Sequence, residues 1–129
     1  MILDTSFLIS FYAQDDKNHQ TALELMKSID GERLLILDQI LGETATVLLY
    51  KKGIDAANKF IETVTDNETI TLIYGSEIDF YENVSTFQNQ KKQLSFIDAS
   101  LVNLALKMNE EILTFDENMK KELERLKKS

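Results

Sequence analysis

The chain has 129 residues, of which 43% are hydrophobic and 28% are charged. This length and balance are typical of one globular domain, because the chain can bury a single core but is too short for two ordinary domains. No apolar run approaches the roughly 20 residues of a membrane span, and no basic N-terminal segment leads into a signal-type stretch. We therefore expect one domain over residues 1–129, located in the cytoplasm and not in a membrane.

The residue types that carry charge or bind metals narrow the possible chemistry. The chain has no cysteine, one histidine, and 22 acidic against 14 basic residues, for a net charge of −8. The missing cysteines exclude disulfides, thiolate metal sites and a cysteine nucleophile, and the single histidine excludes a histidine-rich zinc site. Any metal would be held mainly by oxygen. The negative charge argues against a protein that coats nucleic acid through many phosphate contacts.

Apolar runs typical of strands alternate with helical periodicity along the chain. The strand-like runs are MIL at 1–3, RLLIL at 33–37, TITLIY at 69–74 and EILTF at 111–115. Apolar residues at helical spacing lie at 18–30, 55–64, 76–87, 96–108 and 116–129. Strands separated by helices predict a parallel sheet with both faces covered. Sites in such sheets lie beyond the carboxyl ends of the strands, near a topological switch point.

Three aspartates follow strand-like runs directly, namely Asp4, Asp38 and Asp116. Each stands where an aspartate caps the first turn of a helix, and for any one of them capping is the simpler interpretation. In SFID at 95–98, Asp98 fits a capping-box pattern in the same way. Taken singly, these acids therefore indicate no function.

The predicted helix at 96–108 gives Asp98 a distinct position. Ser100, Asn103 and Lys107 mark one polar face, and Asp98 projects almost opposite to it. Asp98 should then point toward the interior or a cleft, with no lysine or arginine within a turn to pair with it. An unpaired ionised carboxylate there costs roughly several kcal/mol, so it must take up a proton, find a distant partner or hold a cation.

Glu43 is ambiguous from periodicity alone. In QILGETATVLLY the strongest apolar face lies opposite Glu43, which favours a solvated side chain, although its own side also carries Ile40 and Val47.

The four acids are more informative together than singly. Asp4, Glu43, Asp98 and Asp116 all lie at strand ends or in the opening turns of helices. If they share one pocket, four like charges cannot all stay ionised without a compensating cation. Carboxylate oxygens suit Mg²⁺ or Mn²⁺, which keep waters and accept substrate phosphates as ligands. Such a site would activate water and neutralise charge on a phosphodiester, which is the chemistry of a metal-dependent nuclease.

At these residues the sequence resembles the PIN domain family, and most closely its small toxin nucleases of the VapC type. ILDTSFLISFY is similar to the family's opening strand and helix, and ILGETATVLL to the helix with the second acid. LSFIDASLVNLALKMNEEILTFDENM is similar to the most recognisable family segment. Together these segments cover nearly half the chain, in the family's order.

The resemblance implies a three-layer α/β/α sandwich with a central parallel sheet of four or five strands. It also implies Mg²⁺- or Mn²⁺-dependent cleavage of RNA, frequent homodimers and a cognate antitoxin. The family often adds an edge strand after the last acid, whereas this chain continues from Asp116 into a Lys- and Glu-rich amphipathic helix. Four strands would then complete the sheet.

The resemblance further assigns roles to named residues. Asp4, Asp98 and Asp116 would be the main metal ligands, directly or through water, and Glu43 would ligate metal or orient the attacking water. Three hydroxyl side chains would hold carboxylates and waters in place, namely Thr5, Ser6 and Thr114.

Other residues offer weaker signals for RNA binding. Lys91 and Lys92, just before the Asp98 helix, are candidate contacts to the RNA backbone, although a solvated face is the simpler interpretation. Phe96 and Tyr50 could stack on a base, but core packing is favoured.

Three functions stay open. The favoured one is a metal-dependent ribonuclease, either the toxin of a toxin–antitoxin pair or an RNA-processing enzyme of the same fold. The second is a phosphoacceptor domain with Asp4 as nucleophile, against which DTS lacks a second aspartate two positions on. The third is a non-catalytic interaction module that has kept the fold.

Overall fold

Four parallel strands form the centre of the computed structural model, which describes residues 1–129. The strands are β1 (Ile2–Leu3), β2 (Leu34–Leu37), β3 (Ile70–Ile73) and β4 (Ile112–Leu113). Their order across the sheet is β3-β2-β1-β4. Every residue of the central strands β1 and β2 is buried, while the edge strands β3 and β4 are half-buried. Each strand is shorter than its apolar run in the sequence.

Seven helices connect and cover these strands. They are α1 (Thr5–Tyr12), α2 (His19–Ser28), α3 (Asp38–Lys52), α4 (Ile54–Asp66), α5 (Glu77–Gln88), α6 (Phe96–Met108) and α7 (Glu117–Lys127). Helices α1 to α4 pack on one another, and α5, α6 and α7 form a second packed group. The predicted α/β/α architecture is confirmed with four strands, since the segment after Asp116 is the helix α7.

The hydrophobic core is one cluster of 23 buried residues between the sheet and its helices. Ile2 and Leu35 are fully buried in the two central strands, and Phe7 and Phe60 are fully buried on α1 and α4. Complete burial of a side chain of this kind contributes about 1.5–3 kcal/mol. None of the helices combines the length and apolar character needed to span a membrane.

Helix α5 packs on α6 through its polar side. Asn103 Nδ2 of α6 donates to Asn83 Oδ1 at 2.9 Å. Lys107 of α6 pairs with Glu82 at 2.9 Å and also with Asp79. The polar face predicted for α6 is therefore covered by α5 and not exposed to solvent.

The side of α5 that carries Ile78 and Tyr81 consequently faces outward. Helical spacing aligns Ile78 and Tyr81, and such a stripe normally faces the core. In the structure Ile78 is 70% exposed and Tyr81 is 65% exposed. The periodicity predicted the helix correctly, and its orientation follows from the polar partners that the neighbouring helix presents to α5.

The strand order creates a crevice at one end of the sheet. Strands β2 and β3 are added on one side of β1 and β4 on the other, so the direction of addition reverses between β1 and β4. Leu3 pairs with Leu113 in the parallel register. Asp4 and Thr114, the next residues, therefore emerge side by side at the switch point where ligands bind in such sheets.

One fully buried carboxylate holds the C-terminal helix in place. Glu122 of α7 accepts hydrogen bonds from Arg125 Nη2 at 2.7 Å and Nε at 3.0 Å. It also accepts the Lys91 backbone N–H, 3.3 Å from Oε2. The Arg125 guanidinium lowers the pKa of Glu122 below its ordinary 4.5. These bonds attach the segment before α6 to α7.

We predict that Glu122→Ala lowers the free energy of unfolding by about 1–3 kcal/mol at neutral pH, because it leaves the Lys91 N–H without its buried acceptor. The folded pKa lies below the unfolded one, so the carboxylate stabilises the fold above pH 4.5. This stabilisation is lost as the pH falls through the folded pKa. Urea unfolding at neutral pH and at about pH 3 measures both effects. Glu124→Ala, an exposed glutamate of α7, is the control, and equal losses in the two variants would contradict the prediction.

Candidate functional site

The structure brings the four predicted acids to the carboxyl end of the sheet. Asp4 follows β1 and Asp116 follows β4 across the switch point, while Asp98 lies in the first turn of α6 and Glu43 in the second turn of α3. Asp4 is 3% exposed, and the other three are half-buried. Asp38, the remaining strand-end aspartate, is exposed.

Hydroxyl groups from two separate segments bind the Asp4 carboxylate. Thr114 Oγ1 donates to Asp4 Oδ2 at 2.6 Å, and Ser6 Oγ donates to the same oxygen at 2.9 Å. The two hydroxyls lie 3.1 Å apart. Ser6 Oγ also accepts the Phe115 N–H, and Thr114 Oγ1 accepts the Asp116 N–H. This network fixes Asp4 and ties the start of α1 to the segment between β4 and α7.

Burial of the carboxyl raises the pKa of Asp98 from its ordinary 3.8 to about 6. The negative charge of Asp4 adds to the rise, and so do the charges of Asp116 and Glu43. All three of the other acids are thus close enough to repel a charge on Asp98. A side-chain hydrogen bond with Ser95 lowers the pKa of Asp98 and so opposes this rise. Ser95 Oγ also accepts the Asp98 N–H at 3.1 Å.

Burial also raises the pKa of Asp4, and the hydrogen bonds from Thr114 and Ser6 partly offset the rise. A buried carboxylate favours its neutral form unless donors or a cation stabilise the charge. The pKa values of Asp4 and Asp98 are thus both raised, so the ionised form of each is disfavoured. A bound cation would stabilise the ionised forms.

Asp116 has a structural role in addition to its place in the cluster. Its Oδ1 accepts the N–H groups of Asn118 at 2.9 Å and Met119 at 3.3 Å, which caps α7. The capping interpretation is thus correct for Asp116, and one carboxylate oxygen is left for another partner. Asp4 precedes α1 but makes no side-chain capping bond.

Two buried hydroxyls beside the acids have no protein partner. Thr5 Oγ1 and Thr44 Oγ1 make no hydrogen bond, and each follows a predicted acid, Asp4 or Glu43, directly in the chain. Ser6 and Thr114 bind the Asp4 carboxylate, and a role for Thr5 in holding a carboxylate or a water stays a prediction. Unpaired hydroxyls of this kind in proteins are normally satisfied by ordered water or a ligand.

The donor set fits a hard divalent cation. It consists of carboxylate and hydroxyl oxygens, without sulfur or imidazole. No three acidic side chains are arranged to hold a metal ion by themselves.

The structure places the two candidate lysines elsewhere. Lys91 and Lys92 line a cleft with Phe87 and Leu94 that contains none of the four acids. The Lys92 charge acts on Glu122 of α7. Contact between these lysines and RNA stays a prediction without support from the site geometry.

Sequence reasoning missed a cleft at the carboxyl ends of β2 and β3, which has none of the four acids in its lining. Phe80 and Asn83 of α5 and Gln39 of α3 line a cleft together with Phe96 and Asp38. The helical spacing of Phe80, Val84 and Phe87 indicates an apolar side of α5, but the sequence carries no signal that Phe80 borders a cleft.

Comparisons with known proteins agree with this geometry. A model of the PIN domain matches residues 1–122. The chain is 26% identical over 120 residues to a protein described as a VapC ribonuclease from Archaeoglobus fulgidus, covering 89% of this chain and 76% of that protein. The fold of the present chain is similar to that of Mycobacterium tuberculosis VapC20, whose crystal structure is described as that of a sarcin-ricin loop cleaving toxin. The TM-score is 0.85 and the identity is 21%, with 92% of each chain covered.

We predict that Asp98→Asn stabilises the metal-free protein above pH 6. The folded pKa of about 6 exceeds the ordinary 3.8, so stability falls as the pH rises between these values and the ionised group is a net cost above them. Calorimetry with a chelator should show a Tm higher by roughly 2–6 °C near pH 7.5, with the difference vanishing below about pH 4. Asp55→Asn, an exposed aspartate in the first turn of α4, should not gain stability. A lower Tm for Asp98→Asn near pH 7.5 would contradict the repulsion.

Proposed function

The chain belongs to the PIN domain family, and on this basis we propose that it is a divalent-metal-dependent endoribonuclease that hydrolyses RNA phosphodiesters. The observation that carries the proposal is the electrostatic coupling of Asp98 to Asp4, Glu43 and Asp116. A structural protein gains nothing from placing Asp98 beside three other acids at a topological switch point, whereas a cation-dependent enzyme needs such a cluster. The relative described as a VapC ribonuclease supports RNA as the substrate.

We propose that Asp4, Glu43, Asp98 and Asp116 hold Mg²⁺ or Mn²⁺, directly or through water. When bound, such an ion lowers the pKa of a water nucleophile and neutralises charge that develops on the phosphodiester. The oxygen donor set and the raised pKa values of Asp4 and Asp98 support this assignment.

The residues around the acids contribute position and proton transfer. Ser6 and Thr114 fix the orientation of the Asp4 carboxylate through two short hydrogen bonds, so little reorganisation is needed when a ligand arrives. Glu43 is half-buried and accepts no hydrogen bond from the protein. Its carboxylate is free to orient the attacking water and to accept a proton from it.

We further propose that the protein is the toxin of a toxin–antitoxin pair that acts in the cytoplasm, where its RNA substrates are found. Relatives described as a VapC ribonuclease and as a toxin support this role over that of an RNA-processing enzyme. The antitoxin would inhibit by covering the acidic crevice. A non-catalytic module with the same fold is the remaining alternative, and the presence of all four acids argues against it.

We also propose a homodimer, supported by the outward apolar side of α5. Ile78 and Tyr81 are large exposed side chains on one helix, and exposed apolar patches commonly mark protein interfaces. Light scattering should give twice the chain mass for the wild type and one chain mass for the double variant Ile78→Asp, Tyr81→Asp. A monomeric wild type, or a dimer that the double variant retains, would exclude this interface.

RNA cleavage should depend on the acids and on a divalent ion. Incubation with tRNA, rRNA and mRNA fragments should give metal-dependent cuts that a chelator abolishes and that added Mg²⁺ or Mn²⁺ restores. Removal of a group that orients a metal ligand typically costs about 10- to 100-fold. We therefore expect Ser6→Ala to lose activity in that range and Asp4→Asn to lose more.

Asp66→Asn, an exposed aspartate at the end of α4, serves as the control for the cleavage assay and should retain full activity. Wild-type protein that cuts none of these RNAs while binding Mn²⁺ would contradict the ribonuclease. Cleavage that persists in Asp4→Asn would contradict the assigned site.

A further inference from the structure

A cleft beside the acids has no part in the function proposed above. It lies beyond the carboxyl ends of β2 and β3 and has a volume of about 210 Å³. Phe80 and Phe96 form its aromatic walls, and its polar lining consists of Asp38, Gln39 and Asn83. Sites for drug-sized ligands are usually about 300–1,000 Å³. This cleft therefore suits a smaller group.

The helices place the cleft next to the candidate active site. Gln39 precedes Glu43 by four residues on α3, so the two side chains lie on the same side of the helix, one turn apart. The parallel register pairs Ile2 with Leu35, so Leu37, which lines the cleft, lies level with Asp4 on the neighbouring strand. A nucleotide chain with a phosphate at the acids would thus bring a neighbouring base to the cleft.

The aromatic walls are arranged to receive a flat ring. The Phe80 and Phe96 centroids lie 6.0 Å apart with an interplanar angle of 39°, so the two rings do not cover each other. Phe96 also packs against Phe87, with the ring centroids 5.8 Å apart. Phe80 is 53% exposed. Exposed aromatic rings beside a cleft are the usual platform on which proteins stack unpaired bases.

The polar lining supplies hydrogen-bonding groups without a positive charge. Asp38 Oδ1 accepts the Gln39 N–H at 3.0 Å, and its other oxygen has no protein partner. Asn83 Oδ1 is occupied by Asn103, which leaves the Asn83 Nδ2 donor free. No lysine or arginine lines the cleft, so it does not suit a phosphate. A carboxylate is an acceptor only and selects a ligand that presents N–H donors.

We propose that this cleft binds one unpaired nucleobase of the RNA, stacked on Phe80 and donating an amino hydrogen to Asp38. The inference rests on the proposed ribonuclease function and adds a base preference to it. Adenine, cytosine and guanine carry an exocyclic amino group, whereas uracil offers only its ring N3–H, which stands between two carbonyl oxygens that the Asp38 carboxylate repels. The site therefore favours the first three over uracil at the position next to the cleaved phosphate.

Binding of fluorescent single-stranded oligonucleotides, measured by anisotropy in a chelator, tests the base site separately from cleavage. The wild type should bind oligoadenylate and oligocytidylate more tightly than oligouridylate. Phe80→Ala should weaken binding of the first two by about five- to one-hundredfold, while Phe80→Trp keeps a stacking surface and should retain it. Asp38→Asn should remove the preference over oligouridylate, because an amide can also donate to the uracil carbonyl.

Ile54→Ala is the control, because Ile54 is 58% exposed on α4 and does not line the cleft. It should bind as the wild type does. Wild-type protein that binds no oligonucleotide, or binds all three equally, would overturn the base site. Unchanged binding by Phe80→Ala would also overturn it and would leave the cleft to a protein partner. Base-selective binding without any metal-dependent cleavage would refute the ribonuclease and leave the base site standing.

Discussion

The hydrogen bonds from Thr114 and Ser6 to the buried Asp4 carboxylate are the interaction on which the functional end of the molecule depends. β1 and β4 are only two residues long, so a short ladder alone must align the ends of these strands. The hydrogen bonds that Asp4 accepts from Thr114 and Ser6 hold the two chain segments together beyond the last paired strand residues. Because it joins β1, α1 and the segment before α7, a shift in any of these elements would displace the acid that the others support.

The charges gathered at this point are unfavourable for the fold by itself. Asp98 is half-buried among three other carboxylates, and no lysine or arginine forms a salt bridge with any of the four. The fold tolerates the repulsion because its stability comes from other parts of the molecule. These are chiefly the hydrophobic core between the sheet and the helices and the hydrogen bonds that Glu122 accepts from Arg125 and the Lys91 N–H. This separation of stabilising and functional residues is the usual arrangement in enzymes, whose active sites often store strain.

The orientation of helix α5 is set by the polar side chains of its neighbour α6. Its acidic and amide side chains meet Asn103 and Lys107 of α6, and this pairing satisfies polar groups that would otherwise be buried without partners. The same rotation turns Ile78 and Tyr81 outward and brings Phe80 to the rim of the cleft. One polar helix contact therefore determines both the apolar outer surface and the aromatic wall of the base site we propose.

The sequence by itself determined the order of strands and helices, because alternating apolar runs and helical spacing are local properties of the chain. It also determined which acids stand at strand ends, and the motif resemblance gave the family. Only the tertiary structure decided that Thr114 and Ser6, not Thr5, bind Asp4, since this follows from the register of β1 against β4. It alone decided that Glu43 is half-buried with its charge acting on Asp98, and that α5 turns Ile78 and Tyr81 outward. Periodicity ranks the faces of a helix by polarity, whereas the partner on each face is set by contacts between distant segments.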